Sequence, residues 1–315
     1  MPLQRAEQSR RALYREAVRA AAVGLVINLL LGVTKLTAGL LSGFYALISD
    51  AVNSLSDVGV STVVVGALLY AQRPADSSHP YGHSKAEGIA ASNVALLVVV
   101  SAAITAYYGI LEFGAAHGLP PFWTLLLAGG NVAIKELLYH YKIRVGRRTG
   151  STALIANAWD HRSDALCAAA VLVGLLIVRI GGLKYAAADE IAAFVVLLAI
   201  IVSAGLLFRR SVSELMDVQA DSDLVSQIRR EATEVGGVVD VETLLVRKSG
   251  LEYFVDVHIE VDARISVADG HEIGHRVKDR LLGQLPVLRD VLVHLEPDLQ
   301  RDRDARSARR SARAG

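Results

Sequence analysis

The stretch "NAWDHRSDAL" (157–166) places four ionisable side chains in five positions between two apolar runs. "STALIA" precedes it and "CAAAVLVGLLIV" follows it. Charged side chains in apolar surroundings are costly unless they are paired or bind something. We therefore expect some of Asp160, His161, Arg162 and Asp164 to be buried for a function.

The composition of the whole chain indicates a membrane protein with a polar portion. Of the 315 residues, 52% are hydrophobic, and the mean hydropathy is +0.38, which is too apolar for an ordinary soluble domain. The net charge of +1 implies no bulk attraction to nucleic acid, so no nucleic-acid partner is expected. A single cysteine, Cys167, excludes an intramolecular disulfide framework. The N-terminus lacks the apolar core and cleavage site of a signal peptide, so we expect none.

Long apolar segments recur up to about residue 210. A bilayer core of about 30 Å needs about 20 apolar residues per helix. Hydropathy and Gly/Pro breaks predict six spans, near residues 14–38, 45–71, 86–113, 121–142, 152–179 and 186–208. Lys and Arg are concentrated in the N-terminus, the second and fourth loops and the segment after the last span. This asymmetry predicts that both termini are cytoplasmic, which requires an even number of spans.

The pattern changes from residue 211 onward, where helical periodicity and strand-like alternation follow one another in the order α-β-β-α-β. The predicted fold is therefore an α-helical membrane protein with six transmembrane helices and a C-terminal cytoplasmic, ferredoxin-like α+β domain. The expected domains are a cytoplasmic segment (1–13), the transmembrane domain (14–210), the cytoplasmic domain (211–298) and a disordered charged tail (299–315).

Polar side chains form one stripe in the second predicted span. Asp50, Asn53 or Ser54, and Asp57 recur at intervals of three and four residues, so they share one helix face. Ionisable residues inside spans are rare, costly and usually functional. Asp57 is expected about 20 Å from the cytoplasmic end of the span. Asp50 lies nearer the outer end, where it is equally compatible with a ligand and with a solvated entrance residue.

The opening stretch supplies carboxylates at a similar depth in the fifth span, with Asp164 about 18–20 Å from its cytoplasmic end. Asp160 and His161 both share a face with Asp164, and periodicity alone does not choose between them. With Asp160, the two spans offer Asn53, Asp57, Asp160 and Asp164. These are all oxygen donors, which suit a hard divalent cation.

A polar network between helices is the alternative to a cation site. In such a network Asn53 would hydrogen-bond across helices, and the acids would pair with Arg162 or Lys35. We expect too few cations near this depth to neutralise three carboxylates, and this expectation favours a transported cation.

Two further clusters combine histidines with carboxylates. The second loop contains Asp76, His79 and His83, whose spacing can bring three donors to one zinc-like ion. Incidental histidines in a Pro- and Gly-rich turn explain the same spacing equally well. The cytoplasmic domain contains a larger set, which is compatible with ordinary surface residues: His258, His271, His275, His294 and Glu296.

The chain resembles the cation diffusion facilitators over about residues 10–298. The motifs "SDAVNSLSDVGVS" (49–61), "RPADSSHPYGHSKAEGIAA" (73–91) and "WDHRSDAL" (159–166) occur in the order and the spans of that family. The resemblance implies a homodimeric metal/proton antiporter that exports divalent metal from the cytoplasm across the inner (plasma) membrane. It also implies that the cytoplasmic domain dimerises and binds metal.

The family motifs imply three ligand groups in this chain. They are Asn53, Asp57, Asp160 and Asp164 at a transport site; Asp76, His79 and His83 at a loop site; and His258, His271, His294 and Glu296 at a site in the cytoplasmic domain. Zinc-type relatives usually offer a histidine at the transport site, and they often have His where Glu242 stands here. The oxygen-only transport set resembles the manganese-type branch.

These considerations predict an Mn²⁺ exporter with no catalytic residues and no cofactor beyond the transported or regulatory metal. An Fe²⁺ exporter and a Zn²⁺/Co²⁺ exporter of the same family are the alternatives. A membrane-anchored metal sensor would not need Asp57 and Asp164 at matching depth. A metal-dependent membrane hydrolase would need a water-activating glutamate beside a three-ligand site, which we do not expect here.

Overall fold

The structure is a computed structural model that describes residues 2–42, 45–111, 122–181 and 186–299. The chain forms two compact units. The described residues between 13 and 216 form one unit, and residues 217–299 form the other together with residues 2–12.

Each of the six segments predicted to span the membrane coincides with a long helix. The helices are α1 Pro2–Ser42, α2 Tyr45–Ala71, α3 Lys85–Leu111, α4 Phe122–Thr149, α5 Thr152–Gly181 and α6 Ala186–Leu215. Among the described residues, three apolar windows are long enough to cross a membrane: Arg10–Thr37, Ser54–Ala71 and Lys85–Ile104. Six membrane crossings therefore stay a prediction.

Small side chains bring these helices close together. The core shared by α1, α2, α3 and α5 is rich in fully or almost fully buried alanines, namely Ala17, Ala20, Ala21, Ala90, Ala91, Ala153 and Ala156. Helix α4 packs mainly against α5, and α3 packs against both α5 and α6. Without bulky side chains at the contacts, helix backbones can approach closely, and polar groups on facing helices come within reach of one another.

A tight turn joins α4 to α5 and sets how the two helices face each other. Gly150 has φ +76°, which favours glycine, and the N–H of Ser151 donates to the carbonyl of Gly146 at 2.9 Å. The hydroxyl of Ser151 then accepts from the N–H of Leu154 at 3.1 Å, which caps the start of α5. An antiparallel pair follows, so residues later in α5 lie beside residues earlier in α4.

The cytoplasmic domain confirms the predicted α-β-β-α-β order. Its elements are α7 Ser222–Thr233, β1 Asp240–Ser249, β2 Glu252–Val261, α8 Val267–Gln284 and β3 Leu288–Pro297. The sheet order is β1-β2-β3, with β1 and β2 antiparallel and β2 and β3 parallel. Helix α8 makes the crossover that a parallel pair requires. The apolar residues of both helices and of one face of the sheet form the core, for example Ile228, Val257 and Leu281.

Candidate metal sites

The carboxylates of α2 and α5 meet at a lysine from α4. The Nζ of Lys135 lies 2.8 Å from Oδ2 of Asp57 and 2.6 Å from Oδ2 of Asp164. Lys135 is 1% exposed and Asp57 is 7% exposed, whereas Asp164 is half-buried. Two of the predicted transport ligands therefore converge on one buried point between three helices.

The sequence argument did not place Lys135 beside these carboxylates, although its one positive charge is fewer than the three that full neutralisation would need. Its position inside the fourth apolar segment was the signal that could have identified it, since ionisable residues within spans are functional candidates. Of the cations considered from the sequence, Lys35 lies close enough for its charge to act on Asp57, whereas Arg162 contacts other groups. Lys35 donates to the hydroxyl of Ser54 at 3.1 Å, and the guanidinium of Arg162 lies 4.4 Å from the ring centre of Tyr139.

Asp160 belongs to the same charged region. The charges of Asp164, Asp57, Lys135 and Lys142 all act on it. Its Oδ2 atom is buried and accepts no hydrogen bond from the described part of the chain. Asn53 lies in α2, four residues before Asp57, so the two share a helix face. The side chains of Asn53 and Asp50 lie outside the described residues.

His161 contacts Lys142 instead of the carboxylates. It is completely buried, and its Nε2 lies 2.8 Å from Nζ of Lys142, which also donates to Oδ1 of Asn157 at 2.5 Å. Helix α1 passes closely here, because a Cβ at Gly24 would lie 2.1 Å from that Nζ. The periodicity left Asp160 and His161 equivalent, whereas the structure turns His161 toward Lys142.

The loop between α2 and α3 brings its three predicted ligands together. The Oδ1 of Asp76 lies 3.3 Å from Nδ1 of His79, and its Oδ2 lies 3.3 Å from Nε2 of His83. One ligand atom from each residue lies within 4.8 Å of the other two. The N–H of His79 donates to Asp76, and with the N–H of Ser78 it holds the pKa of the Asp76 carboxyl below its ordinary value. The geometry is compatible with a small metal ion, and binding stays a prediction.

Three predicted ligands of the cytoplasmic domain also meet. His258 on β2 is the register partner of His294 on β3, and Glu296 lies two residues further along the same face. The Nδ1 of His258 lies 2.7 Å from Oε1 of Glu296, and the Nε2 of His294 lies 3.9 Å from it. A proton shared with the Glu242 carboxyl and a hydrogen bond from His258 lower the pKa of the Glu296 carboxyl. Glu242 therefore adds a second carboxyl group to this cluster.

His271, the fourth ligand predicted there, does not join this cluster in the described chain. It lies on the exposed face of α8, where its Nε2 is 3.1 Å from Nε2 of His275. The stretch "HEIGH" (271–275) has the HExxH spacing of zinc peptidases, which the sequence argument against a hydrolase overlooked. Both histidines are exposed, and no third ligand joins them among the described residues. A three-ligand hydrolytic centre is therefore not formed in this part of the chain.

The chain combines long apolar helices, which bring carboxylates to a buried point, with an α+β domain that carries a histidine–carboxylate cluster. This combination is the one expected of a membrane protein that transports metal ions. The family model described as "Cation efflux transmembrane domain" matches residues 21–216, and "Cation efflux protein, cytoplasmic domain" matches residues 220–298. The chain belongs to this family, the cation diffusion facilitators. It is a divalent metal cation efflux transporter at the level of the family, whose members are transporters and not enzymes.

Relatives cover most of the chain. "Manganese efflux system protein MneP" of Bacillus subtilis is 29% identical over 89% of this chain and 95% of its own length. "Metal tolerance protein C1" of Arabidopsis thaliana is 33% identical over 87% of this chain and 61% of its own length. "Magnetosome protein MamB" of Magnetospirillum gryphiswaldense is 33% identical over 82% of this chain and 86% of its own length.

Proposed function

We propose that this transporter exports Mn²⁺ from the cytoplasm in exchange for protons, with Asn53, Asp57, Asp160 and Asp164 as the ligands of the transported ion. The convergence of Asp57 and Asp164 from α2 and α5 is the observation that carries this proposal. Carboxylates held at one buried point by different helices can gather around an ion when the helices move relative to one another. They can also separate and release it.

The donor set favours manganese among the divalent metals. Carboxylate and amide oxygens suit Mn²⁺, whereas imidazole favours zinc. His161, the histidine nearest the carboxylates in sequence, contacts Lys142. One relative is named a manganese efflux system protein. Fe²⁺ is the second candidate, and Zn²⁺ or Co²⁺ is the third, because geometry can override donor softness.

Proton exchange follows from the chemistry of the same oxygens. A carboxylate must lose its proton to bind the metal, so metal and protons compete for one set of atoms. Alternating access across the inner membrane would expose that set to the cytoplasm and then to the outside. The distribution of Lys and Arg favours cytoplasmic termini, and on that side the loop and cytoplasmic clusters would bind regulatory metal.

The sheet of the cytoplasmic domain supports a homodimer. Leu245 on β1 and Leu292 on β3 flank Asp256 on β2 in one row of register partners, and both leucines are largely exposed. His258 and His294 lie two residues further along β2 and β3, on the same face. A second copy covering this face would bury the leucines and bring two histidine clusters together. The metal would then favour the dimeric, transporting state if that state binds it better.

Metal uptake into vesicles tests the proposed function. Full-length wild type, Asp57→Ala, Asp160→Ala and Asn53→His are reconstituted into proteoliposomes, and Mn²⁺, Fe²⁺, Zn²⁺ and Co²⁺ fluxes are measured in parallel. We expect Mn²⁺ to be moved fastest by the wild type and not at all by the two alanine variants. The Asn53→His variant should shift preference toward Zn²⁺.

Each part of the proposal fails on a different result. Faster Zn²⁺ than Mn²⁺ flux in the wild type would refute the choice of metal. Flux that survives both alanine changes would refute the transport site and favour the sensor. Flux that is insensitive to an imposed pH gradient would refute proton exchange.

A further inference from the structure

Lys135 occupies the point at which the two transport carboxylates meet. Its single ammonium group contacts one oxygen of Asp57 and one of Asp164, at 2.8 and 2.6 Å. The side chain is almost completely buried and comes from α4, which supplies none of the predicted metal ligands. The two carboxylates therefore already hold a cation that belongs to the protein.

A divalent ion cannot bind the Oδ2 atoms of both carboxylates while the ammonium stays in this position. Oxygen ligands surround Mg²⁺ and Ca²⁺ at about 2.0–2.6 Å, so an ion shared by these two oxygens would overlap the place of Nζ. The positive charges of ion and lysine also repel one another strongly in a poorly hydrated site. The long, flexible lysine stem can move the ammonium aside without moving the helix.

Lys142 provides an internal comparison on the same helix. It follows Lys135 by seven residues, or two helical turns, and it is equally buried. Its Nζ contacts the amide oxygen of Asn157 and the imidazole of His161, and no ion pair with a carboxylate is found for it in the described ranges. Burial of a lysine against α5 is therefore common to both positions, whereas pairing with two carboxylates distinguishes Lys135.

We propose that Lys135 is a resident counter-ion of the transport site, which is displaced when the metal binds and returns when the metal leaves. This inference rests on the proposed function, because it assigns Asp57 and Asp164 to the transported ion. In the metal-free protein, the ammonium partly neutralises the carboxylates and holds α2 and α5 together through α4. During release it competes with the metal for both carboxylates, and this competition weakens metal binding and speeds turnover.

The test compares charge-removing and charge-keeping variants of the full-length protein. Lys135→Met and Lys135→Gln remove the ammonium, Lys135→Arg keeps a cation, and Lys142→Met removes the matched buried lysine. Initial rates of Mn²⁺ uptake into proteoliposomes give KM and kcat. The rise of Tm with added Mn²⁺ in detergent reports binding without transport.

Loss of a competing cation should tighten metal binding and slow its release. For Lys135→Met and Lys135→Gln we expect KM to fall on the order of 5- to 150-fold, the range of typical coupling between two ligands. Their kcat should fall as well, and their Tm should rise more with Mn²⁺ than that of the wild type. Lys135→Arg should keep a KM near the wild-type value. Lys142→Met should lower KM less than Lys135→Met does, because Lys142 lies near Asp160 without pairing directly with a carboxylate in the described ranges.

The inference would be overturned if KM is unchanged or increased in both charge-removing variants and Mn²⁺ raises their Tm no more than that of the wild type. Lys135 would then be a structural ion-pair partner only. An equal fall of KM in Lys142→Met would also overturn it, because the effect would then not depend on direct pairing. If Lys135→Met does not fold, Lys135→Gln makes the same comparison. If the wild type moves no metal, the proposed function fails, while the Tm series still reports whether Lys135 and the metal compete.

Discussion

The imidazole of His161 contacts the ammonium of Lys142, with Nε2 2.8 Å from Nζ, although it follows a predicted metal ligand directly in the sequence. Asp160 and His161 are adjacent in α5, yet the carboxylate lies near Asp57 and Asp164 whereas the imidazole contacts Lys142. Adjacent residues differ by about 100° around a helix, so they can serve different neighbours.

Replacing His161 should change stability more than transport. His161→Ala leaves Lys142 with one of its two described polar partners, and an unsatisfied buried donor costs about 1–3 kcal/mol. We expect a lower Tm, an unchanged order of metal preference and transport that persists in proteoliposomes. Asp160→Ala is the neighbouring comparison and should stop transport. Loss of Mn²⁺ preference in His161→Ala would make the histidine a ligand.

Gly24 of α1 should be required for the position of Lys142. In Gly24→Ala, the added Cβ would lie 2.1 Å from Nζ and 2.2 Å from Cε, so the lysine must leave Asn157 and His161. Gly59→Ala is a matched control in α2, because its Cβ meets no heavy atom within 4 Å in the described structure. Both changes raise helix propensity by up to about 1 kcal/mol. We expect Tm to fall in Gly24→Ala and to stay or rise in Gly59→Ala, whereas equal shifts would show that Lys142 moves freely.

The limits of prediction from this sequence are physical. Hydropathy and Gly/Pro breaks located all six helices, since helix length and apolar character are local properties. The contact between Asp57 and Lys135 joins residues far apart in the sequence. It depends on α4 packing beside α5 after the turn at Gly150, which local patterns do not predict. Hydropathy counted Lys135 as an interruption, so its role as a cation in the site was missed. His271 stays a prediction: helical spacing places it beside His275, and only contacts with other elements or with a second copy could join it to His258.

Asp76 should stabilise the conformation of the loop between α2 and α3 at every pH at which its carboxyl is ionised, including pH 5–7. The N–H groups of Ser78 and His79 donate to its Oδ1 and favour the ionised carboxyl, which lowers its pKa. For an acid with a lowered folded-state pKa, the stabilisation is present above the unfolded value, about 3.9, and is lost as the pH falls through the lower folded value. Hydrogen exchange of the 76–83 peptide in the full-length protein should therefore be slower in wild type than in Asp76→Ala throughout pH 5–7. Equal exchange at pH 7 would contradict the prediction.

Metal binding in the cytoplasmic domain should depend on His258 and Glu296 more than on His271. The first two belong to the group whose ligand atoms lie within 4.8 Å, and His271 is paired with His275 instead. In full-length protein with Asp57→Ala and Asp76→Ala, Zn²⁺ titration by calorimetry should lose about 10- to 100-fold in affinity with His258→Ala. His271→Ala and His275→Ala should lower the Zn²⁺ affinity by similar factors, both smaller than that of His258→Ala. A larger loss for His271→Ala alone would place His271 in the principal site.

Leu292 should be needed for dimerisation. It is 66% exposed on β3, on the sheet face that also carries His258 and His294. A second carboxylate next to Asp256 would have to be desolvated on association and would lie beside a like charge, which disfavours the dimer. Leu292→Asp should therefore shift the full-length protein in detergent from dimer to monomer in sedimentation analysis and weaken Zn²⁺ binding by the cytoplasmic domain. Val267→Asp is the control, because Val267 is 90% exposed but lies at the start of α8. A dimer that persists in Leu292→Asp but dissociates in Val267→Asp would place the interface at α8 instead of the sheet.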